Sequence, residues 1–270
     1  MPELPEVESV VRSLRDSSPT LIGLRIGRVE AVWPGVFPPL SDGVASSRLE
    51  GCSFTDIGRL GKYLVFSLSS PGQRTRFLVI HLRMTGRLFL VPDSAAVERH
   101  TRLALHLEGG LALRFDDPRK FGRAWLTDDP GSVTGRMGPD ALTVTADEFA
   151  TRLGGCRRQL KPLLLDQSFV AGIGNIYADE CLHRAGLHPL AVSADLGPDE
   201  VLRLYAAVRS VLAEAVAAGG ANIDGVFKAG SFVVQVYGRQ GAPCRTCGTP
   251  ILKIRVGQRG THFCGNCQAL

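Results

Sequence analysis

Between residues 62 and 115 short apolar runs, several alternating with a period near two, follow one another closely. The runs 62–68, 76–82, 86–91, 102–107 and 111–115 are short, apolar or alternating, and separated by Gly, Pro, Ser and Asp. That pattern predicts antiparallel strands with one face buried, stacked as a β-sandwich. One helix precedes them. Pro5 suits a first helical turn, Glu3, Glu6 and Glu8 occupy the end that the helix dipole favours for acids, and Val7, Val10, Val11 and Leu14 form an apolar stripe for a sheet to receive.

The turn-rich stretch 128–135 interrupts this pattern, and beyond it the period lengthens to about 3.6. Helix-like stripes cover 146–153, 158–166, 175–185 and 198–218, and Gly219-Gly220 stops the last. The expected fold class is therefore α+β and multidomain. A sandwich with flanking helices occupies 1–128, a linker 129–145, a helical domain 146–234 and a cysteine-bearing end 235–270. Between two of the helices, 171–175 is a glycine turn feeding a helix start, whose backbone N–H groups could hold a phosphate or could simply turn the chain.

Composition and charge sharpen this outline. With 270 residues and 44% hydrophobic content the chain can bury a sizeable core and is not a disordered protein. No apolar run approaches a membrane span, and the start Pro2-Glu-Leu-Pro-Glu6 lacks the features of a secretion signal, so a cytoplasmic, nucleoid-associated location is expected. Residues 221–270 carry six basic side chains against one acid, Asp224, while the preceding residues balance at 25 and 25. A basic element on a neutral body suits phosphate contact, although a solvated tail would show the same count. In that element Cys244-x-x-Cys247 and Cys264-x-x-Cys267 are separated by sixteen residues, a spacing that suits one structural Zn²⁺ held by four thiolates at the base of a β-hairpin; unligated thiols or two disulfides are the alternatives. Cys52, Cys156 and Cys181 lie among apolar neighbours and read as core fillers in a reducing compartment. No organic cofactor is implied.

The N-terminus offers a second chemistry. Met1 precedes the small residue Pro2, so Pro2 becomes the terminal residue once the initiator is removed. An α-amine titrates about two units below a lysine, which leaves a usable neutral fraction near pH 7. Such an amine can attack an electrophilic sugar carbon and form an iminium, with Glu3 as the adjacent acid or base.

The segments Pro2-Glu-Leu-Pro-Glu-Val-Glu8, Gly61-Lys62-Tyr63, His81-Leu-Arg-Met-Thr-Gly86, Asp117-Pro-Arg-Lys-Phe-Gly122, Gly172-Ile-Gly-Asn-Ile-Tyr-Ala-Asp179 and Gln235-Val-Tyr-Gly-Arg239, followed by the cysteine pairs, resemble formamidopyrimidine-DNA glycosylases in order and across the length. The resemblance implies a β-sandwich, a helix-two-turn-helix domain and a zinc finger. It implies a bifunctional repair enzyme that acts on double-stranded DNA, as a monomer, excising oxidised purines and then cutting the strand at the abasic site. Pro2 matches the nucleophile, Glu3 the acid at the sugar ring oxygen, Lys62 the lysine that assists β-elimination, and Arg259 the zinc-finger arginine tied to δ-elimination and phosphate. Met84, Arg119 and Phe121 match the wedge that fills the space of an extruded base. Asn175 matches a phosphate contact, and His81, His100, Arg157 and Tyr237 match further DNA contacts.

The sequence departs from the family pattern at 221–234, where many relatives carry a longer loop over the extruded base. A shifted lesion range, toward ring-opened purines, oxidised pyrimidines or abasic sites, is the expectation. Two other readings stay open at this point. An endonuclease VIII-like enzyme for oxidised pyrimidines usually starts Pro-Glu-Gly-Pro-Glu and lacks the Asp117–Gly122 motif, and a non-catalytic zinc-dependent DNA-binding protein would need none of Pro2, Glu3 and Lys62.

Overall fold

The computed structural model describes residues 2–38, 40, 42–72, 74–223 and 230–270. Met1, whose expected removal would free Pro2, and residues 224–229 of the short 221–234 segment lie outside them. The chain divides into two compact units. One holds Pro2 and Glu6–Arg136, the other Glu3–Pro5 with Met137–Ile223 and the residues from 230 onward.

In the first unit helix α1 (Leu4–Arg15) buries the predicted stripe of Val7, Val10, Val11 and Leu14. Strand β1 (Ile26–Ala31) and helix α2 (Asp42–Leu49) follow, then β2 (Ser53–Leu60), β3 (Tyr63–Ser69), β4 (Arg76–His81), β5 (Arg87–Pro92), β6 (Thr101–Leu107), β7 (Leu111–Asp116) and β8 (Arg123–Thr127). They form two antiparallel four-stranded sheets of order β1-β6-β7-β5 and β2-β3-β4-β8. This is the expected sandwich, with three strands, β1, β2 and β8, that the sequence pattern did not single out. Strand β3 alternates buried and half-buried as a one-sided strand does, with Leu64, Phe66 and Leu68 inward. A short helix α3 (Gly131–Thr134) sits where an unstructured turn was expected.

The second unit contains α4 (Ala146–Gly154), α5 (Leu160–Leu165), α6 (Asn175–Ala185) and α7 (Pro198–Ala217), then a hairpin of β9 (Ile251–Val256) and β10 (Arg259–Cys264). Thr145 caps α4 by accepting from Glu148 N–H, and Gly186, in the left-handed region at φ 67°, closes α6. Phe149, Leu160, Leu164, Tyr177, Leu204 and Leu212 form its core, which also takes in Leu4. Among the described residues no helix is long and apolar enough to cross a membrane.

Candidate active site and nucleic-acid interface

The first unit carries the candidate side chains Lys62, Met84, Arg119 and Phe121 on loops between strands. Gly61 and Lys62 form the two-residue turn joining the paired residues Leu60 and Tyr63. Arg59 steadies this turn, since its Nη1 donates to Gly61 O (2.8 Å) while its Nε donates to Glu8 Oε2 on α1 (3.1 Å). Lys62 is buried to 8% exposure and Pro2 is also buried, so neither is a freely waving surface group.

Met84 and Phe121 are the reverse, large apolar side chains at 40% and 48% exposure. Their loops, 82–86 and 117–122, are laced together by the buried Asp117. Its Oδ1 accepts from Thr85 Oγ1 (2.5 Å) and Arg119 N (3.2 Å), and its Oδ2 accepts from Gly122 N (2.7 Å). Gly122 is required at this point, because a Cβ there would lie 2.3 Å from the Phe115 ring. Arg119 lies over the Phe121 ring at 4.8 Å. His100 adjoins the same loop, its carbonyl accepting from Asp117 N (2.9 Å).

His81, which the resemblance gives as a further DNA contact, lies inside the fold. It is buried, its Nδ1 accepts from Arg83 N (2.9 Å), and its ring meets Tyr63 edge-on at 4.6 Å. Burial, then the charges of Arg83 and Lys62, push its pKa down to about 3, so it is a neutral ring shaping the 82–86 loop.

In the second unit Glu3 sits at the start of α6. The backbone N–H groups of Ile176 and Tyr177 donate to Glu3 Oε1 (3.0 Å) and Oε2 (3.3 Å), so a helix N-terminus fixes the carboxylate. Of the two readings of the 171–175 turn, a phosphate cradle or a plain turn into a helix, this arrangement favours the second, since the first N–H groups of the helix beyond it are taken by the protein's own acid. The glycines serve that arrangement. A Cβ on Gly174 would fall 2.2 Å from Glu3 Cδ, and one on Gly172 2.4 Å from Leu4 Cδ1.

Behind Glu3 lies a charged cluster that the sequence reading missed. Lys161, fully buried, donates through Nζ to Asp179 Oδ1 (2.6 Å) and to Asn175 O (2.9 Å). Burial pulls its pKa down and the Asp179 carboxylate opposes that. Asp179 Oδ2 accepts from His262 N (2.9 Å) on β10, and Glu180 accepts from three successive backbone N–H groups, Gln235 (2.7 Å), Val236 (3.0 Å) and Tyr237 (2.9 Å). Two neighbouring acids of α6 thus hold both the hairpin and the turn at 235–237 that precedes it. The available signals were a lone lysine in the apolar run 160–165 and two acids amid the apolar face of 176–182.

Asn175 Nδ2 donates to Gly260 O (3.1 Å), while its buried Oδ1 has no partner among the described residues. Gly257 and Gln258 form the hairpin turn, both at positive φ (52° and 63°), and Arg259 follows, exposed and unpaired among the described residues. Tyr237 packs edge-on against His262 at 5.2 Å. Arg157 is exposed and bridged to Asp195 at 3.0 Å, so it offers charge at a surface rather than within this cluster.

The sulfurs of Cys244, Cys247, Cys264 and Cys267 lie within 4.8 Å of one another, with Cys247 to Cys264 at 3.4 Å and Cys244 to Cys267 at 3.9 Å. A tetrahedron with Zn–S bonds of about 2.3 Å has edges of about 3.8 Å, so the set fits one zinc ion. Burial and the neighbouring sulfurs push the Cys267 thiol up, whereas hydrogen bonding with Thr249 pulls Cys247 down to about 6. Four sulfurs leave no position for a substrate, which makes the metal structural.

Comparison with known proteins agrees with this arrangement. The chain matches three family profiles, described as formamidopyrimidine-DNA glycosylase N-terminal domain over residues 1–124, the H2TH domain of the same proteins over 137–226, and a zinc finger found in FPG and IleRS over 241–270. It is 42% identical to the formamidopyrimidine-DNA glycosylase of Symbiobacterium thermophilum, over 99% of this chain and 89% of that protein. Among solved structures it resembles the Lactococcus lactis Fpg in complex with DNA containing an abasic site, with a TM-score of 0.90 and 32% identity, and a MutM in complex with DNA containing carbocyclic 8-oxo-G, at 0.89 and 34%. Both likenesses cover the whole of each chain.

Proposed function

The chain belongs to the formamidopyrimidine-DNA glycosylase family, and from that premise we propose that it is a bifunctional DNA glycosylase and abasic-site lyase of base excision repair. The observation that carries the reading is Glu3. It is a buried carboxylate held by the N–H groups of Ile176 and Tyr177, and it follows directly on Pro2, the residue that bears the terminal amine after loss of Met1.

The chemistry follows from these groups. The Pro2 nitrogen attacks C1′ of the damaged nucleotide, the glycosidic bond breaks, and the base leaves with the bonding pair and takes up a proton. Glu3 delivers a proton to the ring oxygen, the sugar opens, and the nitrogen lone pair forms the iminium to C1′. Loss of a C2′ proton then expels the 3′ phosphate by β-elimination, and a second elimination expels the 5′ phosphate. Lys62, on its braced turn, and Arg259, on the hairpin turn, act on the phosphates and on these eliminations. Zinc, when bound, supplies only the fixed geometry of the hairpin.

A base leaves the stack before it reacts, at a cost of a few kcal/mol. Met84 and Phe121 fill the space, and Arg119 hydrogen-bonds the base left without a partner. Asn175, His100, Arg157 and Tyr237 contribute to holding the DNA, while the neutral His81 supports the Met84 loop. The substrate is duplex DNA carrying oxidised purines or abasic sites, and the enzyme acts as a monomer. The short 221–234 segment shifts preference away from 8-oxoguanine toward ring-opened purines.

Borohydride trapping tests the mechanism. Wild-type protein is expected to crosslink to duplexes carrying an oxidised purine or an abasic site, Pro2→Gly to lose most of that crosslink, and Glu3→Gln to lose it on the oxidised base. Absence of any crosslink from protein that lacks Met1 and binds DNA would leave a binding protein instead. Excision of 8-oxoguanine opposite cytosine as fast as that of a long-loop relative would refute the shifted lesion range.

A further inference from the structure

The loop bearing Phe121 is held by a side chain outside the six motifs. Strands β4 and β8 pair so that His81 faces Arg123, which places the start of the Met84 loop beside the end of the Phe121 loop. Arg123 turns back on its own loop. Its Nη1 donates to Lys120 O (2.9 Å) and to Gly122 O (2.7 Å), the two carbonyls that flank Phe121. Its guanidinium lies over the indole of Trp33 at 4.6 Å. No carboxylate pairs with Arg123 among the described residues, so its charge is directed at two carbonyls and one ring face.

The loop needs such a grip. Lys120 has φ 59°, a left-handed conformation that a side-chain-bearing residue rarely adopts without external bonds. Asp117 fixes the loop from inside through Arg119 N and Gly122 N, and leaves the carbonyls of 120 and 122 to other donors. Trp33 is itself anchored, its backbone N–H donating to Arg102 O (3.2 Å), while Arg102 Nε donates to Asp117 O (2.8 Å). The platform and the loop therefore share a frame. Arginine suits this task because a planar fork can stack on an indole and still donate from its edge, which an ammonium cannot do.

We propose that Arg123, seated on Trp33, is a positioning residue that holds Phe121 projected before DNA arrives, so that insertion into the base stack needs no ordering of the loop. The inference rests on the wedge role given to Phe121 above. Loss of the grip frees Lys120 to leave φ 59°, and each encounter with DNA then bears the entropy of ordering the loop. The chemistry at C1′ is untouched.

The test compares wild type with Phe121→Ala, Arg123→Ala, Arg123→Lys, Trp33→Ala and Trp33→Phe. The probe is a duplex with 2-aminopurine beside an oxidised purine, followed by stopped-flow fluorescence and single-turnover excision, with strand cleavage of a single-stranded abasic oligonucleotide as the readout that requires no wedge. Arg123→Ala, Arg123→Lys and Trp33→Ala are expected to slow the fluorescence step and duplex excision about tenfold, the weight of one charge-assisted hydrogen bond, with single-strand cleavage unchanged. Trp33→Phe keeps a ring face and is expected to stay near wild type. Slow Phe121→Ala beside wild-type rates in Arg123→Lys and Trp33→Ala would overturn the inference and leave the wedge standing. Wild-type rates in Phe121→Ala would remove the wedge and the inference with it. A general loss of structure in Arg123→Ala would lower single-strand cleavage too, and Arg123→Lys and Trp33→Ala then decide the matter.

Discussion

Replacing Lys161 by methionine keeps the aliphatic stem and removes the ammonium from a site where both Lys161 and Asp179 are fully buried. Two hydrogen bonds disappear, the 2.6 Å bond to Asp179 and the 2.9 Å bond to Asn175 O. Among the described residues Asp179 is left buried with only His262 as a partner, through its backbone N–H at 2.9 Å and its ring at 3.2 Å. Breaking a buried pair from one side costs about 3–5 kcal/mol, most of it from the stranded charge. For a chain of this size each kcal/mol moves the thermal midpoint by about 2–4 °C, so the fall should be about 6–20 °C. The double variant Lys161→Met/Asp179→Leu strands no charge and should be more stable than Lys161→Met alone, a non-additivity diagnostic of direct coupling. Scanning calorimetry is the suitable assay, since two compact units can unfold in separate transitions and the effect belongs to the second. Glu3 and Asn175 share the helix start that Lys161 braces, so borohydride trapping should fall in the same variant. A midpoint change below about 2 °C, or a double variant as unstable as the sum of the singles, would refute the coupling.

Further outcomes follow from the site. Elemental analysis should find one zinc per chain, and chelation or Cys264→Ser should expose residues 241–270 to protease, because the hairpin's fold and the metal are coupled; a hairpin that stays protected without metal would contradict this. Arg259→Ala should leave thermal stability unchanged, the residue being exposed and unpaired among the described residues, while the slope of log binding constant against log salt becomes shallower by about one. Parallel salt lines would show that Arg259 meets no phosphate. For His81 the folded pKa of about 3 lies below the ordinary value of 6.5, so the unfolded chain takes up the proton first. Its contribution is complete above pH 6.5 and is lost as pH falls toward 3, at about 1.4 kcal/mol per pH unit. Denaturant titrations of His81→Gln between pH 6 and 4.5 should show a slope smaller by that amount, and equal slopes would mean that His81 is protonated in the folded protein.

The sequence alone determined the cysteine tetrad, the change of period from two to 3.6, the motifs at Pro2–Glu8 and Asp117–Gly122, and through them the family. These are local: a CxxC pair, an alternation or a glycine turn is complete within a few residues. Strands β1 and β2 escaped because each contains a bulge, between Ile26 and Arg28 and between Phe54 and Asp56, which breaks the alternation that reveals a strand. Tertiary structure alone decided the state of the charged groups. Glu3 meets its N–H donors 173 and 174 residues along the chain, and Asn175 turns its amide to a carbonyl 85 residues away. His81 is neutral because strands bury it beside Lys62 and Arg83, and the burial that pulls the Lys161 pKa down is opposed by the carboxylate of Asp179, which arrives from another helix. A residue's type sets what chemistry it can perform. Its dielectric surroundings and hydrogen-bond partners, assembled from distant segments, set which of those chemistries it does perform.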